Sequence, residues 1–349
     1  MNFYATIFIV AFVAMFSLPI AVAGIYYHKK KSAVLGIRQD YEKDVRYFGH
    51  SFSAMMEKAL PSMKGDTIML SKPEKVIEIK SKVHTFDVSE GNQINDLIVA
   101  RRVAFHVGQS GLDFNNEIYS EQDVIILGED TILRAVYSKE RILLGDGTQV
   151  TRWADAEKTV VTRYGCDLGR SITSGEQLVI GQSNIFHRLY APKIRLGQEA
   201  KSPDRYLETR DPKIFTLPVL NNAYFNRLYI DEDMIEEGGT VPYTIISKEN
   251  VKVIENIILQ GDIHSDKSVR IMENSVVLGN IFAEKEVLIE RNATVLGDVF
   301  TQGSIILEEG AAVGQPGKIS SMIAREKITF YGNNYVFGFV STEAGGRVL

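Results

Sequence analysis

Among the side chains that could do chemistry, His264, Asp262 and Asp298 stand out by type and spacing. A histidine held on a rigid frame can serve as general base in acyl transfer. Asp262 and Asp298 flank Asn280 at equal intervals, and two carboxylates at a defined separation can cleave a glycosidic bond. Cys166, the single cysteine, is the remaining candidate nucleophile, and it excludes a disulfide framework or a Cys-rich zinc site. The six histidines fall in no HExxH or similar metal spacing. The GGxGxD calcium repeat, the Walker loop and the Rossmann fingerprint are all absent.

These residues are positioned by an eighteen-residue repeat. The segments 261–278, 279–296 and 297–314 align without a gap, and 243–260 keeps the same frame. A second block, 116–187, supplies four more windows. The third position is apolar throughout, with Ile263, Ile281 and Val299 in the clearest windows. So is the ninth, with Val269, Val287 and Ile305. The fifth is always small, as at Ser120, Ser265, Ala283 and Thr301. The fourteenth is often Gly or Asn, the choice for a corner that needs positive φ.

Positions three and five, nine and eleven, fifteen and seventeen are each two apart, so each pair faces one side of a short strand. Three such strands make one triangular coil. Coils stacked ~4.8 Å apart pair every strand with its neighbours above and below. The expected fold is therefore all-β: a three-sided β-helix of about eighteen residues per coil, with Ile263, Ile281, Val299, Val269, Val287 and Ile305 as core ladders. A further coil is expected from Ile319, Ser321, Ile328, Phe330 and Val336. The runs in 75–115 leave the frame and read as a cap or as irregular first coils.

Within this frame the reactive residues acquire structural readings. His264 shares the fourth position with Tyr119, Tyr137, Phe282 and Phe300, an outward aromatic ladder. Gly-Asp and Gly-Asn at 261, 279 and 297 read as corners. Cys166 aligns with Thr148 and Asn184 and reads as a core thiol. No catalytic, cofactor-binding or metal residue is therefore assigned. The alternative is a β-helical enzyme acting on acyl or glycan substrates, either like a hexapeptide acyltransferase or polysaccharide-cleaving. Glycine recurring at eighteen residues rather than six counts against the first.

The chain has 349 residues, 45% of them apolar, with 39 Lys and Arg against 44 Asp and Glu. That balance supports a folded body and excludes nucleic acid as the main partner. Residues 3–27 carry no charge and, at ~1.5 Å per residue, can span the ~30 Å hydrocarbon core of a membrane. Lys29, Lys30 and Lys31 follow, which places the body in the cytoplasm by the positive-inside rule. Ala21-Val22-Ala23 permits a cleaved signal peptide instead, but no Lys or Arg precedes the apolar run. The expected layout is an anchor with its basic flank (1–31), a juxtamembrane amphipathic helix (32–65), a first solenoid block (66–197), an excursion (198–242), a second block (243–337) and a tail (338–349). The helix carries a stripe of Tyr41, Val45, Phe48, Phe52, Met55, Met56 and Leu60.

The eighteen-residue frame, the Gly-Asp and Gly-Asn openings and the small fifth position resemble the bactofilins, bacterial polymer-forming cytoskeletal proteins. The resemblance covers 116–187 and 243–336. It implies a right-handed β-helix that polymerises end to end without nucleotide and scaffolds the inner membrane, where it recruits cell-envelope proteins. This chain differs in its length, its full membrane anchor and its interrupted solenoid. Little sequence is left to cap the last coil, so Tyr335, Phe337, Phe339 and Val340 are the expected self-association surface, giving a dimer or filament.

Overall fold

A computed structural model describes residues 44–60, 93–95, 97–100, 111–127, 129–197 and 239–349, with shorter pieces at 67–69, 75–79, 103–105, 219–222 and 235–236 and isolated positions before residue 20. The chain divides into two units, 1–47 and 48–349. Apart from isolated positions, the expected anchor 3–27 lies outside the described residues, as do its basic flank and Tyr41. Among the described residues no helix is long and apolar enough to cross a membrane.

The second unit is a β-solenoid. Ile245, Ile263, Ile281 and Val299 stack in parallel register, and so do Val251, Val269, Val287 and Ile305. All are buried, so the expected core ladders line the interior. In the first block Ile118, Val136, Ala154 and Ile172 form the matching column. Burying one β-branched column on another is what stabilises each coil, because a single coil cannot offset the entropy of ordering its own backbone.

The corners follow from three local devices. At the fourteenth position Gly147, Gly165, Asn256, Asn274, Asn292 and Gly310 all have φ between +55° and +77°. At the fifth, the hydroxyl ties two coils together: Ser265 Oγ donates to the Glu249 carbonyl (2.8 Å) and accepts from the Lys267 N–H (3.0 Å). Ser138, Ser174, Thr301 and Thr342 donate to the carbonyl sixteen residues back in the same way. At the first position the backbones nearly touch. A Cβ on Gly279 would stand 2.4 Å from the Gly261 carbonyl oxygen. Gly279→Ala is therefore expected to lower stability by about 2 kcal/mol or more, since the obstructing atom is backbone. An unchanged denaturation midpoint would contradict this packing.

Several register expectations are corrected. In the coil beginning at 116 the repeat sets Ile132 at the inward seventeenth position, but Leu133 points inward instead, stacking between Phe114 and Val150, because bulges shift the register there. In the coil after 314, Met322 and Ala324 stack on Val299 and Thr301. Ile319 is 57% exposed. A turn around Gly314 and Gly317, closed by the Gln315–Lys318 bridge, takes up all the inserted residues before that strand. Ile328, Phe330 and Val336 stack as expected. Upstream, Ile98 lies beneath Ile118 and Val103 beneath Val124, so strands Leu97–Ala100 and Val103–Phe105 already belong to the stack, at slightly longer spacing. Within the excursion, Val219–Asn222 pairs with Thr244–Ser247, so the second stack begins before residue 243.

The largest departure concerns the C-terminal end. Residues 338–349 are not a tail. Strand β2 (Asn334–Val348) completes one more coil, with Val340 on Met322 and Val348 beside Phe330. It also pairs antiparallel with β1 (Ile185–Leu196), the last strand of the first block. Leu189 stands opposite Val340, Tyr190 opposite Phe339 and Ile194 opposite Val336. Phe186 and Phe330 meet across the join with ring centroids 6.0 Å apart. Gly346 is required there, because a Cβ would lie 2.1 Å from the Phe186 ring. Each stack runs in the N-to-C direction toward this join, so the two blocks meet tail to tail within one chain.

Candidate functional site

The columns that could carry chemistry are built from corner residues. Asp262 Oδ1 accepts from the Asn280 backbone N–H (2.6 Å) and side-chain amide (2.9 Å). Asn280 Oδ1 accepts from Asp298 N–H (2.9 Å), and Asp298 Oδ1 accepts from Ser321 N–H (2.6 Å). Each side chain thus satisfies the next coil's corner amide. Two coils at ~4.8 Å place Asp262 and Asp298 roughly 10 Å apart, with Asn280 filling the space a sugar would need.

His264 lies in the outward ladder. Its ring centroid is 6.3 Å from that of Phe282, which stacks on Phe300 at 5.4 Å and 13°. The imidazole is 56% exposed and its nearest carboxylate, Asp266, is 3.9 Å away. Cys166 is buried, and its thiol donates to the Gly145 carbonyl at 3.1 Å. Burial pushes this thiol up to about 11. The folded protein should therefore resist an aromatic disulfide reagent at pH 8 and react at once in guanidinium; rapid reaction of the native protein would refute the buried position. Because only the unfolded chain ionises this thiol between about pH 8.5 and its raised folded value, its contribution to stability falls as pH rises through that window.

Of the expected self-association residues, Tyr335, Phe337 and Val340 are buried and Phe339 is half-buried. The strand edge they were expected to leave open is taken by β1 of the same chain. Lys193 Nζ lies 5.9 Å over the Tyr335 ring, reinforcing that contact.

The sequence left open whether the amphipathic helix lies on lipid, pairs with a second copy, covers one end of the solenoid or packs elsewhere on its own domain. Helix α1 (Tyr47–Ala59) seats Phe52 and Met56, with Gly49 and Ser53, against Leu97, Val99, Tyr119 and Tyr137. Phe48 and Met55 of the expected stripe face outward, 47% and 43% exposed. The helix lies on the outward fourth-position column rather than over an end. Phe52 meets Tyr119 edge-on at 6.1 Å and Trp153 at 5.7 Å, while Tyr119 stacks on Tyr137 at 5.6 Å. Lys139 binds Glu57 of the helix at 2.8 Å. Burial raises the Tyr137 phenol, whose hydroxyl donates to Glu157 at 2.7 Å.

His50, Asp155 and Glu157 bring ligand-type atoms within 4.8 Å of one another beside this helix. Their visible partners are structural. Asp155 accepts from the Thr173 hydroxyl at 2.6 Å and lies against the helix's first turn, where a Cβ on Gly49 would stand 1.9 Å from its Oδ2. A carboxylate there also complements the helix N-terminus.

No known family, curated protein or solved structure matches the chain. What the geometry itself displays is one sheet face continuous across the join. The fourth-position columns of the two blocks share it, because antiparallel pairing at the join sets Arg188 opposite Ser341 and Tyr190 opposite Phe339. One part of that face holds α1. Another part presents the His264 ladder.

Proposed function

We propose that this chain is a membrane-anchored, bactofilin-like β-helical scaffold that self-associates and organises cell-envelope or cell-shape proteins at the bacterial inner membrane. The apolar run 3–27 is the tether, and Lys29, Lys30 and Lys31 keep the body on the cytoplasmic side. The carrying observation is the use made of the repeat's side chains. Asp262, Asn280 and Asp298 hold successive corners together, while the outward face seats a helix in the first block. A continuous, repeat-built face offers an extended surface of the kind that repeat proteins use for protein partners.

Self-association then runs through the outer ends. Because the two C-terminal ends meet at the join, both outer ends are first coils. Among the described strands, Val251–Val253 pairs only with Val269–Ile271, while Thr244–Ser247 and Ile258–Leu259 of the same coil are already covered by Val219–Asn222 and Thr240–Val241; the reading has a second copy add at Val251–Val253.

Electron microscopy of the full chain in lipid nanodiscs tests this reading. It predicts rods that join end to end as concentration rises; isolated rods at every concentration would overturn it. Attachment to membranes should survive carbonate and be lost on deleting 1–31. The combined change Asp262→Asn and His264→Ala should leave assembly intact. Loss of a glycan- or acyl-directed turnover in that folded variant would instead favour the enzyme alternative.

A further inference from the structure

We infer that residues 198–218 of this chain seat across the third face of the second block, positions fifteen to seventeen, and close it to other chains. The state of that face is the first observation. At the sixteenth position Ile258, Val276, Thr294, Ala312 and Tyr335 stack in parallel register. Val277, Val295 and Val313 at the seventeenth fill the core, so the sixteenth points outward. Yet Val276 and Thr294 are each 7% exposed, and Ala312, Tyr335 and the neighbouring Leu296 are buried more deeply still. The outward columns of the other two faces keep their solvent, with Ile246, His264 and Phe282 exposed on one and Lys252 and Arg270 on the other. In the first block the sixteenth position is open as well, since Gln149 and Ile185 are exposed and Asp167 is half-buried. Something therefore covers this one face. Among the described strands, pairing at Val276 and Thr294 runs only up and down the column, and α1 lies on the first face of the other block.

The places where the segment leaves and re-enters the solenoid identify the cover. Gly197 stands at the join against Gly332, where a Cβ on it would lie 2.3 Å from the Gly332 carbonyl oxygen. Gly332 turns between Phe330 of the second face and Asn334 of the third. Val219 opens the strand that stacks beneath Thr244, at the corner between the third face and the first. The third face is the side that lies between these two corners. From one to the other the chain descends six strand spacings, roughly 29 Å at ~4.8 Å each. The filled core leaves only an external route. At ~3.3 Å per residue the segment reaches roughly 70 Å, enough to pack on the face as it crosses. Its sequence carries Leu207, Ile214, Phe215 and Leu217, apolar residues able to take that column out of water. Bare, the column would invite two chains to pack side by side. The inference concerns contacts within one chain and stands apart from the scaffold reading.

The test uses the full chain carrying Thr294→Cys, with Cys166 buried and silent. The new thiol should resist an aromatic disulfide reagent. Replacing 203–217 by a Gly-Ser run of equal length should speed its labelling roughly a hundredfold, with the circular dichroism of the sheet retained. Slow labelling in both proteins, or rapid labelling in the first, would overturn the inference. Protection that is lost on dilution would overturn it in favour of a second copy on this face. A second measurement needs no Gly-Ser replacement. A diazirine-bearing aliphatic residue in place of Val276 should, on illumination of the monomer, link to a peptide within 198–218. Links only to other parts of the chain, or only to another chain, would overturn the inference.

Discussion

Ile281→Asp should unfold the second half of the solenoid, at a cost of about 4 kcal/mol or more. Ile281 is fully buried between Ile263 and Val299, with its backbone paired on both sides. A carboxylate there would have only aliphatic neighbours above and below, and the stack offers no route to water. Neutralising the group by taking up a proton would still leave a polar group without a partner. The effect should spread beyond one coil, because each coil is stabilised mainly by its neighbours. Differential scanning calorimetry should show a large fall in the melting temperature or a separate early transition. A melt within one or two degrees of the wild type would mean that the third position does not face inward.

Val340→Asp is expected to be equally damaging, and it separates two views of the C-terminal end. Were that end an open surface, a charge at residue 340 would improve solubility and leave the fold intact. In the structure Val340 is fully buried, stacked on Met322 and paired across the join with Leu189. The substitution therefore introduces an unpaired charge where both blocks meet. Urea denaturation should show a loss of about 3 kcal/mol or more, with the two halves losing their shared transition. A stable, more soluble protein would restore the open-end view.

The solenoid was legible because its period-two apolar pairs recur at a fixed interval, and Gly or Asn mark its corners. Asn256, Asn274 and Asn292 show positive φ at the position the repeat assigns them. Less was legible where alternation is ambiguous. Around residue 320 both strand faces carry apolar residues, Ile319 and Ile323 on one and Met322 and Ala324 on the other. Only the turn at Gly314 and Gly317 decides between them. The join was hidden for another reason. Gly345 and Gly346 read as a polar tail, yet Gly346 is small because the Phe186 ring lies against it, from a strand far earlier in the chain. Local patterning carries no trace of such a partner. The same holds for α1: its stripe shows that Phe52 and Met56 need cover, but only the outward ring stack of Tyr119 and Tyr137 reveals what provides it. The acidic column was legible as well: Asp262 and Asp298 look catalytic by type, but the repeat sets them at corners, and there they accept the corner amides.

The tail-to-tail join within one chain is tested most directly by a disulfide across it. Tyr190 and Phe339 are paired residues on β1 and β2, so Tyr190→Cys with Phe339→Cys places two thiols within bonding reach. The native Cys166 is buried and does not compete. After mild oxidation at high dilution, mass spectrometry of the digested protein should show a bridge between residues 190 and 339, formed in the monomer and independent of protein concentration. A bridge that forms only between chains, or none at all, would contradict the join.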